Sequence, residues 1–434
     1  MFRKVLMLMA IVLVFGASDS QAEQIAVSWD GGGDGYSWAD ANNWDPDIVP
    51  DGDFDVHIQN AEVEIKQDRI IYSLDSSGEV LFGCWNSFYD PTLTLTNPGG
   101  LTNEGVLRLE NIEFNGSFTN EDNAFIVMDE VTGDIGIEGS FINNGSVFVS
   151  SPCPVFFVEG VDGAFINNGK MHLNNALVTS NETDANIVNA EGAVIWGSGT
   201  VFTENALVNS GRIISSSGAL QIHVHEIVIN NVKGILESMP GSNLYISSAF
   251  FATTTKEMSN NGTIIIAPDS AVIFKEDRLW DPGLLGDCTL VNDANGNIQL
   301  QGGTLAAATI IQIDDANFVG FGGITGDVLI DPNGLIELNG PTNIIGDVTI
   351  DPNATLEISD GTTLITGHTT CNNGTIHMIG GRVICQGGLT NNNCNIIWEP
   401  GLYTNIADFN LDGMVNFKDF ADFANTWLWR ADWY

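Results

Sequence analysis

The residues with the clearest chemical spacing in this chain are Asp408, Asn410, Asp412, Asn416 and Asp419, whose oxygen-bearing side chains fall at positions 1, 3, 5, 9 and 12 of one short loop. Gly413 stands at position 6, where such a loop must bend sharply, and Met414 at position 7 offers its backbone carbonyl. A hard cation takes six to eight oxygens, and this order supplies them in sequence. The spacing therefore predicts calcium bound by Asp408, Asn410, Asp412, Met414, Asn416 and Asp419.

Downstream, Phe417, Phe420, Phe423, Ala424, Trp427 and Leu428 recur at helical spacing, so a helix with an aromatic face is expected to start inside the loop. Before Asp408 the stretch Tyr403 to Ala407 is too short for an entering helix. A loop followed by a helix, with Asp419 closing it, resembles the repeat of a type I dockerin more than a full EF-hand. That resemblance implies calcium as the cofactor and a cohesin-like or cell-surface protein as partner. A dockerin that binds cohesin carries two such units packed together, whereas one is visible in residues 408–428. Two uses of the aromatic face stay open: packing on the body of the chain, where Trp398 is available, or docking on a partner.

Catalytic patterns on the body are fragmentary. Lys66, Arg69, Arg108, Lys170, Arg212, Lys233, Lys256, Lys275, Arg278 and Arg382 are the basic side chains there, and they are scattered. A polyuronate lyase needs such a base beside a substrate carboxylate. Asp314-Asp315 and Gly367-His368-Thr369 are the nearest fragments of a polygalacturonase-type set, whose other elements are missing. His223 and His225 share one strand face and could hold a metal, but without a third ligand they read as surface residues. The stretches 235–260 and 275–295, with Asp277 and Trp280, are the places where a carbohydrate groove is best accommodated. Polysaccharide breakdown or binding is thus the rival to a structural role, and no catalytic residue is assigned.

The elements that position these residues follow from a repeat. Gly326-Asp327-Val328-Leu329-Ile330-Asp331-Pro332-Asn333 returns as Gly346-Asp347-Val348-Thr349-Ile350-Asp351-Pro352-Asn353, 20 residues on. Asn or Asp followed closely by Gly punctuates the rest, as in Asn103-Glu104-Gly105, Asn143-Asn144-Gly145, Asn167-Asn168-Gly169, Asn209-Ser210-Gly211 and Asn260-Asn261-Gly262. Short alternating strands follow the turns, for example Ser146-Val147-Phe148-Val149 and Thr263-Ile264-Ile265-Ile266. Asn and Gly suit sharp corners because both tolerate left-handed backbone. A hairpin meander would turn every 8–12 residues or so, whereas one register returning after about 20 is a coil of a solenoid.

The fold class expected is all-β: a right-handed parallel β-helix of about 20-residue coils, with a small C-terminal α-helical calcium module. Roughly 14 coils at about 4.8 Å each make a rod of about 65–70 Å. Stacking sets Val328 by Val348, Ile330 by Ile350, and the Asn turns into an amide ladder at one corner. The expected division is 1–22 signal peptide, 23–98 N-terminal cap and first coils, 99–402 parallel β-helix, and 403–434 calcium loop and helix. Longer spacings at 234–262 and 262–295 mark insertions.

At the start, Met1 to Lys4, the apolar run Val5 to Ala17 and the small residues Ser20 and Ala22 have the order of a secretory signal. That run is too short to cross a bilayer, and no second one of spanning length occurs, so a secreted, extracellular or cell-surface protein without a membrane span is expected. The net charge of −41 repels nucleic acid and anionic lipid and attracts divalent cations. Six cysteines in an oxidising compartment can pair in several ways, with Cys371 and Cys394, beside turns of adjacent repeats, the first choice. Trp29-Asp30-Gly31-Gly32-Gly33-Asp34-Gly35-Tyr36-Ser37-Trp38, followed by Trp44, reads as the N-terminal cap. It resembles the Trp-Gly-rich opening that precedes β-helical repeats in many bacterial surface proteins, notably of planctomycete-like lineages. Its Gly31-Gly32-Gly33-Asp34 run also hints at a single calcium-binding turn.

Overall fold

In a computed structural model, the described residues are 24–399, apart from 85–90, 97–99, 111, 129–134, 151–154, 160–164, 181–185, 249–256 and 277–287. Alternating short strands separated by corner residues wind into a parallel β-solenoid of about 14 turns with almost no helix. Each coil contributes to three strand columns. The first contains Leu101–Asn103, Phe118–Asn120, Phe141–Asn143 and Phe165–Asn167, paired in parallel and in register. The second contains Val106–Glu110, Phe125–Met128 and Ser146–Ser150, and the third Ile112–Asn115, Ile135–Glu138 and Val155–Glu159. Longer strands such as Lys170–Ser180 serve the second and third columns in turn, with a register shift at Asn174/Ala176.

Like residues stack on like, because every second side chain of each strand points into the shared core. Val328 pairs with Val348 and Ile330 with Ile350, and Glu337 faces Glu357 on the outside. Phe118, Phe141 and Phe165 lie in one column with ring centroids 5.5 and 5.4 Å apart. That column continues through Phe114 and Phe82 to Trp38, so the cap and core form one aromatic series. In the cap, buried Trp38 and Trp44 meet edge to face, and the indole N–H groups donate to the carbonyls of Pro50 and Trp38. Here strand Trp44–Asp45 runs antiparallel to Ile25–Trp29 and covers the first edge.

The expected amide ladder is present and buried. Asn103, Asn120, Asn143, Asn167, Asn189, Asn209, Asn230, Asn260 and Asn292 each pass one Nδ2–H to the side-chain oxygen of the next coil, over 2.7–2.9 Å. The second N–H reaches a backbone carbonyl of the next coil, as from Asn143 to Lys170 at 3.1 Å. All these bonds point the same way along the rod. The Ser76 hydroxyl donates to Asn103 at one end, and at the other Gln312 accepts from Asn292 and turns its own N–H to the Ala316 carbonyl. Beyond Gln312 the same position is filled by Ile330, Ile350 and Cys371, all buried.

Two sequence expectations change here. Asn punctuates the chain in two distinct ways: as the buried ladder residue through Asn292, and as an exposed corner residue at Asn333, Asn353, Asn373 and Asn393, where φ is +53° to +69°. The corner glycines Gly105, Gly145, Gly169, Gly211, Gly234 and Gly262 do not adopt left-handed backbone. Glycine is required there because a Cβ would strike a carbonyl of the preceding coil, at 2.0 Å from Gly145 in the case of Gly169.

Ladder bonds also measure coil length. Steps are 20 residues from Asn189 to Asn209 and 21 from Asn209 to Asn230, but 30 from Asn230 to Asn260 and 32 from Asn260 to Asn292. The expected insertions therefore fall in these two coils. Their extra length lies between the third and first columns, in 249–256 and 277–287, outside the described residues. Cys371 and Cys394 form the disulfide expected, tying the last two coils together. Among the described residues no helix is long and apolar enough to cross a membrane.

Candidate functional site

The predicted calcium ligands Asp408, Asn410, Asp412, Met414, Asn416 and Asp419 lie outside the described residues, as do Asp277, Trp280 and the signal segment. Among the described residues no group of three or more His, Cys, Asp or Glu is arranged to hold a metal ion. Among the described residues, four places bring candidate side chains together on the rod.

The first is the outer face of the third column, where the coil ending at Asn230 meets the first of the two long coils. In Arg212–Val224, Leu220, Ile222 and Val224 point inward, which turns Gln221 and His223 out. The next coil sets Ser247 beside His223. His223 Nδ1 lies 2.6 Å from Ser247 Oγ and Nε2 lies 3.2 Å from Gln221 Oε1. Ser247 Oγ also lies 3.4 Å from the Ile222 carbonyl, so its one proton goes to that carbonyl or to the ring, according to the tautomer of His223. Hydroxyl, imidazole and side-chain amide stand in the spatial order of a nucleophile, a base and the base's anchor. Ser247 is 1% exposed, however, which closes its hydroxyl to a polymer substrate. Alongside, Lys275 Nζ sits 5.4 Å above the Tyr245 ring, and Phe202 meets His225 edge to face.

The second place is an outward row on the second column, where His172 stacks on Trp196 at 5.0 Å and meets Phe148, tilted by 49°, at 5.1 Å. Burial among these rings holds the His172 pKa below its usual value.

The third is a polar cavity of about 240 Å³ near the cap, lined in part by Trp29, His57, Gln59, Asp75 and Glu104, with His57 Nδ1 3.2 Å from Asp75. The fourth joins three coils near the C-terminal end: His377 Nδ1 lies 3.1 Å from Glu357, and Nε2 faces Glu399 at 3.4 Å without the alignment of a hydrogen bond.

The catalytic fragments take structural positions. Asp314 and Asp315 form a corner in which Asp314 Oδ1 accepts from the Asp315 N–H. His368 occupies a different corner, in the row of Asp327 and Asp347, with its ring nitrogens bonded to Gly387 O and Thr390 Oγ1. Bases are dispersed into pairs with carboxylates, among them Lys66 with Glu64, Arg108 with Glu79 and Lys233 with Glu191. In the Gly31–Asp34 turn the acidic groups are satisfied by the chain: Asp34 accepts from the Tyr36 and Ser37 N–H groups, and Asp40 from those of Asp34 and Asn42. Backbone donation from Ser37 lowers the Asp34 pKa, and that from Asn42 lowers the pKa of Asp40. This makes the turn a self-bonded cap element.

Sequence reasoning missed the Gln221–His223–Ser247 trio and the Glu357–His377–Glu399 row. Glu357 and His377 lie 20 residues apart, the repeat itself, and so were open to detection. His223 and Ser247 are separated by 24, which the variable coil lengths conceal.

The acidic corner yields a pH prediction. Asp331 and Asp351 follow the paired Ile330 and Ile350, and burial, then the charge of Asp351, raises the Asp331 pKa above its ordinary 3.8. The folded protein thus holds this proton more tightly than the unfolded chain. The resulting stabilisation is complete below the ordinary value and is lost as pH rises through the raised one. Asp331→Asn should therefore raise the melting temperature at pH 7 by about 1–2 °C and change it little near about pH 3, measured by calorimetric scans. Equal shifts at both pH values would contradict the repulsion.

Comparison with protein-family models, curated proteins and solved structures gives no match.

Proposed function

We propose that the protein is a secreted or cell-surface structural or adhesive rod, a right-handed β-helix bearing a dockerin-like calcium loop and helix at its C-terminal end. The observation that carries the structural reading is the regular stack itself. One buried amide ladder runs from Ser76 to Gln312, and outward groups such as His223 with Ser247 and His368 with Thr390 close on partners within the rod. A rod of this kind separates its ends and displays long faces, which suits spacing or adhesion at a surface. The strongly acidic composition keeps such rods apart and draws divalent cations toward them. Calcium is assigned from the order of oxygens in Asp408 to Asp419, which suits a hard cation.

Two measurements test the reading. Asp412→Ala should abolish calcium uptake in titration calorimetry while the β-sheet circular dichroism stays unchanged. Unaltered affinity would remove the ligand assignment. A depolymerisation screen on acidic and neutral polysaccharides should show no turnover. Turnover abolished by exchange of one or two carboxylates would replace the structural reading with an enzymatic one.

A further inference from the structure

Among the described residues, the rod's core is covered at its N-terminal end and uncovered at the other. At the N-terminal end Trp38 and Trp44 are 1% and 0% exposed beneath the antiparallel strand pair. At the other end the inward rows continue for one more coil and stop. Ile376 is 1% exposed, whereas Ile396, its partner in the following coil, is 47% exposed. Trp398 follows Met378 in register and is 54% exposed; Leu389 follows buried Thr369 and is 40% exposed. These side chains occupy core positions, and no later coil among the described residues covers them. The disulfide from Cys371 to Cys394 ties this coil to the one before, making the end a held surface. An apolar end with open strand edges is a template for chain association unless something covers it.

The geometry points to one occupant: residues 405–434 of the same chain close this end, with the row Phe417, Phe420, Phe423, Trp427 and Leu428 laid on Leu389, Ile396 and Trp398. The segment follows the strand Asn395–Glu399 directly, so its tether is short and its effective concentration at the end is in the millimolar range or above, about what a short flexible linker provides. A helix of three to four turns is about 20 Å long, comparable with the width of a coil built from short strands. Calcium in the loop fixes where that helix starts. The inference rests on the loop-helix reading proposed above and adds the surface on which it acts.

The test compares full-length protein with a full-length Phe420→Ser, Phe423→Ser variant by hydrogen exchange in calcium, with titration calorimetry on both. Peptides covering 382–399 should exchange at least about tenfold faster in the variant, while peptides from 141–248 are unchanged and wild type remains monomeric in light scattering. Equal rates at 382–399 in the two proteins would overturn the inference, and so would protection that rises with protein concentration alongside a dimer mass, since a second copy would then cover the end. Calorimetry separates the two proposals: uptake of calcium with equal exchange rates retains the metal reading and removes the cap, whereas a cap difference without uptake retains the cap and removes the metal.

Discussion

Asn167→Leu is expected to destabilise the rod by about 3 kcal/mol or more, although leucine is close to asparagine in size and far more apolar. Asn167 is fully buried. Its oxygen accepts from Asn143 at 2.7 Å, and its two N–H groups reach Asn189 at 2.9 Å and the Val194 carbonyl at 3.3 Å. Leucine leaves one donor and two acceptors in the core without these partners, and each buried orphan costs about 1–3 kcal/mol. Stability in a stacked array is a sum of coil and interface terms, so damage should spread from the two interfaces around this coil. Hydrogen exchange should show the fastest opening in peptides covering 141–197, and denaturant melting should lose cooperativity. Ile330 shows that an apolar residue is tolerated at this register where both neighbours are adapted, since Gln312 ends the ladder by bonding to Ala316. A neutral effect of Asn167→Leu would mean that the ladder bonds are not formed.

Gly169→Ala should be nearly as damaging, and for a reason that separates stacking from backbone conformation. The added methyl would lie 2.0 Å from the Gly145 carbonyl and 2.6 Å from that of Asn144, both in the preceding coil. Relief requires the corner to open, which breaks the bonds from the Asn168 N–H to Asn143 and from the Lys170 N–H to Gly145. Overpacking of this kind costs about 1–3 kcal/mol, and loss of the two corner bonds adds to it. The control is Gly192→Ala: Gly192 has φ of +85° but nothing within 4 Å of the new methyl, so only local strain of about 1 kcal/mol is expected. Thermal melting should therefore rank Gly169→Ala well below Gly192→Ala. The opposite order would show that corner glycines serve conformation and not close approach.

These residues also show how far the fold is legible from sequence. Eight-residue patterns beginning at Gly326 and Gly346, alike except at Leu329 and Thr349, set the period, and a period of 20 with strand-like alternation leaves a solenoid as the natural reading. The two long coils are visible in the same way, because turn markers separate when chain is inserted. Less legible is what each marker does. Asn260 and Asn333 look alike as punctuation, yet one is a buried ladder residue and the other an exposed left-handed corner. Burial depends on the neighbouring coils, which a single coil's sequence does not display. Gly169 presents the same difficulty, since its constraint comes from a carbonyl in the previous coil. The Gln221–His223–Ser247 trio was hidden because coil lengths vary around it, so contact across coils has no constant spacing. The loop from Asp408 to Asp419 lies outside the described residues, and the calcium proposal for it rests on local spacing alone, each ligand position being set within one short segment.

The claim on which all of this depends is that successive coils lie parallel and in register, and methyl-to-methyl nuclear Overhauser contacts in Ile- and Val-labelled full-length protein test it directly. Val328, Ile330, Val348 and Ile350 are all buried, and the account predicts contacts from Val328 to Val348 and from Ile330 to Ile350. Contacts crossing instead from Val328 to Ile350 and from Ile330 to Val348 would mean antiparallel strands and would contradict the solenoid.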